Sequence, residues 1–254
     1  MDLQVPSATL AALLLATVRA GGFVALAPPF NSPGIPMAVK GALALALSLV
    51  VFPQISGQVP EVTAGFLIVT AITEATIGVA LGFVVQVLFT AVQMAGDLID
   101  MAGGFSMQPA FDPLSLSAHA TIGRLHHLLA TTLLFTSGGH LMLVRGFVTS
   151  YRGIPVGGSI PTDQIGQALI TAFSMMFLAA LQIAGPMIAV LLLADIALAL
   201  LTRAAPALNV FAIGFPVKIM ITLVLLGLTF PLLPPALDTL MDHAVEAMTA
   251  FRSG

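Results

Sequence analysis

The chain reads as an all-α integral membrane protein, and three observations say so. Only 7% of its 254 residues are charged, where a soluble domain carries about 25%. Its mean hydropathy is +1.08. Its apolar stretches approach or exceed the roughly 20 residues a helix needs to cross about 30 Å of hydrocarbon. Together they predict about six long apolar helices arranged in hairpins, with one apolar re-entrant, plug-like loop. Cysteine is absent, which rules out disulfides and thiolate metal sites. A net charge of −3 without a basic cluster argues against nucleic acid as a partner. Tryptophan is absent and Tyr151 is the one tyrosine. Missing aromatic belts hint that much of the surface faces other subunits rather than lipid headgroups.

The elements follow in order. The start, Met1-Asp2, has no positive region, so the first apolar run is expected to be a retained helix rather than a signal peptide. That run covers 8–27, broken only by Arg19, and Pro28, Pro29, Pro33 and Pro36 end it. A second covers 41–60 and a third 62–95, the latter with Glu74 as its single charge. Asp97 and Asp100 are expected to end the third helix. Gly78 and Gly82 stand four apart, a spacing that lets another helix approach closely and marks a candidate subunit interface. A fourth run, 122–144, is expected to be one helix carrying His126, His127 and His140. After a polar connector, 165–201 and 217–233 read as one long hairpin with Arg203 and Lys218 near its tip. In the tail, Leu237, Leu240, Met241, Ala244, Val245, Met248 and Phe251 form a stripe at helical spacing. Asp238, Asp242 and Glu246 line the opposite face. Lipid-surface helices carry cations there, so the stripe, with Met241 and Phe251, is expected to meet another subunit.

Between the third and fourth runs lies the longest well-marked break, 103–117. Gly103 and Gly104 open it and Pro109 and Pro113 follow, so it cannot be a helix interior. Yet it carries Phe105, Met107, Phe111, Leu114 and Leu116 against one charge, Asp112. Irregular backbone at membrane depth survives only inside protein or against a cavity. The stretch is therefore a pore-facing segment or a packed connector, and its own residues favour the connector.

Candidate chemistry is sparse. No phosphate loop, His-Glu-x-x-His or Gly-x-Ser-x-Gly pattern occurs, so neither an enzyme nor a cofactor is expected. His126 and His140, fourteen apart on one expected helix, would share a face as haem ligands do. No second apolar run offers a partner histidine, and histidines at helix ends are the better reading. Arg19, Glu74, Asp195 and Lys218 lie within or beside apolar runs. Each is costly there, and structural pairing is favoured over an ion relay.

The order of these features resembles the flagellar biosynthetic protein FliR family, which has a homologous subunit in injectisome export gates. Arg19, Pro28, Pro36 and Lys40 carry the resemblance first. Glu74-x-x-x-Gly78-x-x-x-Gly82, Gln93-x-x-Gly96, Gly103 and Asp112-Pro113 continue it. Gly139-His140, Ser150, Arg203-x-x-Pro206-x-x-Asn209-x-Phe211 and Gly214-Phe215-Pro216-x-Lys218 complete it. Ala207 departs from the pattern, since the family often has a polar residue there. The resemblance implies a non-enzymatic subunit of the type III export gate. It implies assembly with FliP and FliQ, contact with FlhB and FlhA, and passage of unfolded flagellar proteins. It implies a place in the bacterial inner membrane at the flagellar basal body, partly raised toward the periplasm. It also implies a FliP-like part, 1–160, and a FliQ-like hairpin with the tail, 161–254. On this reading 103–117 is the pore plug, with Gly103, Gly104, Phe105, Met107, Phe111, Asp112 and Pro113 in it. The alternatives are an injectisome subunit or a self-contained small-solute transporter, which should show matched inverted repeats.

Overall fold

The computed structural model describes residues 7–56, 63–105, 121–160, 162–205 and 210–251, without the side chains of 210–212. All regular structure among them is helical. The elements are α1 (Ser7–Leu26), α2 (Met37–Ile55), α3 (Ala64–Gly103), α4 (Thr121–Thr136) and α5 (Gly139–Gly153). They continue with α6 (Thr162–Ala204), α7 (Val210–Leu226), a 3-10 turn (Phe230–Leu232) and α8 (Leu233–Ala250). Among the described residues, α1, α2, α3 and α6 are long and apolar enough to cross a membrane. Six spans result if the bent pairs α4–α5 and α7–α8 each count as one. The chain is an all-α integral membrane protein.

Two expectations fail on element ends. The third helix does not stop at Asp97 and Asp100 but runs to Gly103. Ile99 is fully buried, and Asp100 has an acceptor's task inside the protein, described below. The fourth run is two helices, not one. Gly138 adopts φ 77° between them, a left-handed conformation open to glycine at little cost. His126 and His140 therefore lie on different helices, and the shared-face argument for them falls.

The chain divides into two compact units, each drawing on several stretches of sequence. The first holds residues 1–88, 135–173 and 240–254. In it α1 packs along α2, and Thr17 Oγ1 donates to Ser48 Oγ at 3.0 Å. The rings of Phe23 and Phe147 stack at 4.9 Å. α1 crosses α3 backbone to backbone. A Cβ on Gly78 would overlap the Arg19 carbonyl oxygen, and one on Gly82 would meet the Phe23 carbonyl oxygen at 2.8 Å. These two glycines thus serve a helix crossing inside the chain.

The tail also packs within the chain. Met241 and Phe251 are each only 1% exposed within this chain. Met248 lies over Gly146 of α5, its sulfur 3.2 Å from where a Cβ would stand. Met241→Asp is therefore expected to unfold the tail of the isolated chain, since it buries an unpaired charge. Thermal unfolding of the purified chain in detergent checks this; an unchanged midpoint would refute it.

The second unit holds residues 89–134 and 174–239. α3 meets α4 where Gly96 faces Gly123, a Cβ on Gly96 standing 2.6 Å from Gly123 Cα. Gly103 abuts the Thr222 side chain of α7, and Gly104 (φ +85°) lies against the Phe215 ring. Along α6, Leu192, Leu193, Ile196 and Leu200 remain exposed. Such a run of large apolar side chains calls for lipid or protein cover.

Candidate functional site

The first unit encloses a fully buried ion pair. Arg19 of α1 and Glu74 of α3 are both 0% exposed. Arg19 Nε donates to Glu74 Oε2, and Arg19 Nη2 donates to Oε1 at 3.0 Å. This fork is the geometry a guanidinium makes with a carboxylate. Nη1 donates to the Ile154 carbonyl at 2.9 Å, and the Gly157 N–H donates to Glu74 Oε1 at 3.1 Å. The guanidinium carbon stands 4.0 Å over the Tyr151 ring, a cation–π contact. Tyr151 in turn donates its hydroxyl to the Ala16 carbonyl at 3.2 Å. Every charge is thereby matched, the condition under which a buried pair is tolerated. The network ties α1, α3, the end of α5 and the connector after it.

In the second unit Lys218 Nζ lies 2.8 Å from Asp195 Oδ1 and 3.0 Å from Oδ2. This pair joins α6 to α7. It borders a cavity of about 290 Å³ lined by Leu198, Thr202 and Phe215 among others. Reversing both charges, Asp195→Lys with Lys218→Asp, should recover most of the thermal stability that Asp195→Lys alone loses. Equal stability of the single and double variants would show that the pair contributes nothing.

A third cluster was not singled out by sequence reasoning. Asp100 Oδ2 accepts from the Ile122 and Gly123 N–H groups at 2.9 and 3.0 Å. These are free donors in the first turn of α4, so a carboxylate from α3 caps it. His126 is fully buried beside it, Nδ1 donating to the Ile122 carbonyl at 3.0 Å and Nε2 lying 3.3 Å from Thr229 Oγ1. No group of three or more His, Asp or Glu side chains is arranged to hold a metal among the described residues.

Of the plug candidates, Gly103, Gly104 and Phe105 are placed at the end of α3. Met107, Phe111, Asp112 and Pro113 lie outside the described residues.

With this geometry in view, comparison with known proteins is decisive. Residues 10–244 match the family described as "Bacterial export proteins, family 1". The chain belongs to that family. It is 33% identical to flagellar biosynthetic protein FliR of Escherichia coli (strain K12) over 226 residues, 89% of this chain and 87% of the relative. Its identity to FliR of Bacillus subtilis (strain 168) is 27%, over 93% of each chain. It is 30% identical to Yop proteins translocation protein T of Yersinia pestis over 83% of this chain and 79% of the relative. In this bacterial export protein both ion pairs and the Asp100 cap fall inside the matched span.

Proposed function

We propose that the chain is a subunit of the flagellar type III export apparatus, forming with FliP and FliQ the channel through which unfolded flagellar proteins leave the cell. The observation that carries this reading is the similarity to flagellar FliR proteins along about nine-tenths of the chain. The exposed apolar face of α6 supports a multi-subunit setting. At 43 residues, α6 is about 64 Å long, roughly twice the hydrocarbon core of a bilayer. Lipid alone does not cover such a helix; FliP-like and FliQ-like neighbours would. On this reading residues 1–160 form the FliP-like part and 161–254 the FliQ-like hairpin and tail. The assembly sits in the bacterial inner membrane at the basal body, partly raised toward the periplasm, with FlhB and FlhA in contact. Residues 103–117 seal the pore. The relative in Yersinia pestis favours an injectisome as the second reading.

Deleting the gene in its native bacterium should abolish flagellin secretion and swimming, and a plasmid copy should restore both. Tagged chain should co-purify FliP and FliQ homologues. Normal flagellin secretion in the deletion strain would overturn the flagellar reading, and loss of a different secretion system would establish the second. Removal of residues 108–114 should leave the gate assembled and make the membrane leak small solutes. An assembled, tight deletion mutant would reduce 103–117 to a connector.

A further inference from the structure

Two buried carboxylate oxygens lack a hydrogen-bond partner, and they belong to neighbouring side chains of α3. Among the described residues, Asp97 Oδ1 and Asp100 Oδ1 are the side-chain polar atoms that are buried and unsatisfied. Asp100 is only 2% exposed. Residues three apart on a helix share a face, their Cβ atoms about 5–6 Å apart. The orphan oxygens are therefore one problem. A carboxylate oxygen is an acceptor, and its burial without a donor is costly. Two ionised carboxylates side by side add like-charge repulsion in a medium that screens it poorly.

Among the described residues, no lysine or arginine forms an ion pair with either carboxylate. From α4, His126 faces the pair; its Nδ1 bonds the Ile122 carbonyl and so carries a hydrogen. Its Nε2 lies 3.3 Å from Thr229 Oγ1, in the segment after α7, and that hydroxyl also has the Leu226 carbonyl within reach at 2.8 Å. With the Thr229 proton given to Nε2 rather than to the Leu226 carbonyl, the imidazole is neutral, and the proposal takes this arrangement. Arg124 of α4 is exposed, and Lys218 of α7 is held by Asp195. Both orphan oxygens are buried within this chain, although the Asp97 residue as a whole is only half-buried.

We propose that Asp97 and Asp100 form a proton-binding site, one proton being shared between them. Asp97 Oδ1 carries it and donates to Asp100 Oδ1, directly or through one water. A single hydrogen then satisfies both orphan atoms. The remaining negative charge rests on Asp100, whose Oδ2 already accepts two N–H groups at the N-terminus of α4, where an anion is favoured. The neighbouring carboxyls are the kind of pair that titrates as a unit. This inference stands apart from the export reading and holds for the chain whatever it assembles with.

The test uses the full chain in detergent, carrying 13C-labelled aspartate and 15N-labelled histidine. At neutral pH its infrared spectrum should contain a carboxylic-acid C=O band that is lost in Asp97→Asn and in Asp100→Asn. Asp97→Asn should keep wild-type thermal stability, because its amide donates to Asp100 Oδ1 without a titrating proton, whereas Asp97→Ala should be clearly less stable. Should Asp100→Asn fail to fold, since it also caps α4, the two Asp97 variants still decide. The proposal is overturned by the absence of an acid band in wild type, or by one that survives both asparagine variants. Equal stability of Asp97→Ala and Asp97→Asn also overturns it. So does loss of the band on adding sodium at fixed pH, which would make the ligand a metal cation. An imidazolium 15N signal from His126, meaning that Thr229 turns its proton to the Leu226 carbonyl and that His126 is the counter-charge, overturns it as well.

Discussion

Arg19→Ala should cost this protein most of its folded state. The side chain is wholly buried and meets Glu74, the Ile154 carbonyl and the Tyr151 ring. Its removal leaves the Glu74 carboxylate buried with one donor, the Gly157 N–H. Losing one partner of a buried pair costs about 3–5 kcal/mol, against a total stability of roughly 5–15 kcal/mol for a domain. Glu74→Gln should cost a similar amount, because it strands the guanidinium instead. Arg19→Lys should fall between wild type and Arg19→Ala: the charge survives, but an ammonium cannot reproduce the two-pronged contact and the ring stacking. Replacing both partners, Arg19→Met with Glu74→Leu, should be milder than either single change, since no charge is left unpaired. The yield of monodisperse protein and its unfolding midpoint in detergent measure all four. If Arg19→Ala keeps the wild-type midpoint, the network is not holding the unit together.

Much of this was legible in the chain, for reasons that also show where legibility stops. A lone Arg19 and a lone Glu74 in apolar runs each demand compensation, and that follows from the cost of a buried charge. Which group compensates which depends on how α1 crosses α3, and half of the network is backbone: the Ile154 carbonyl and the Gly157 N–H. Backbone groups have no signature in sequence. Asp97 and Asp100 looked like the end of a helix because charges usually end apolar runs. They are inside α3 because Asp100 finds donors in the next helix, a contact between residues 22 and 23 apart. The Gly138-Gly139 doublet sat in an apolar run that reads as continuous, and only the φ of Gly138 marks the break. The stripe of the tail and the Gly78–Gly82 spacing announced close packing correctly. They could not say whether the partner was another chain or this one; in this structure Met241 and the two glycines pack within the chain.

Those glycines permit a sharper test, because the same substitution should have opposite signs at two sites in the same pair of helices. Gly21 of α1 has nothing within 4 Å of the place a Cβ would occupy. Glycine in a helix interior is less stable than alanine by about 0.5–1 kcal/mol, through the greater freedom it loses on folding. Gly21→Ala should therefore be neutral or raise the unfolding midpoint slightly. Gly78 of α3 is the reverse case. Its Cβ would overlap the Arg19 carbonyl oxygen and crowd the Arg19 Cα at 3.0 Å. Those are backbone atoms of α1 and cannot rotate away, so the two helices must separate. Overpacking of this kind typically costs about 1–3 kcal/mol, more than the alanine gains by propensity. Here the shift would also pull Arg19 from Glu74, so the loss should exceed that range and Gly78→Val should exceed Gly78→Ala. Coupling to the ion pair is measurable: in an Arg19→Met, Glu74→Leu background, Gly78→Ala should cost less than in wild type. Thermal unfolding of the six chains in one detergent gives the comparison. A Gly78→Ala chain as stable as Gly21→Ala would mean that α1 and α3 do not approach this closely, and equal costs in both backgrounds would mean that the crossing and the ion pair act independently.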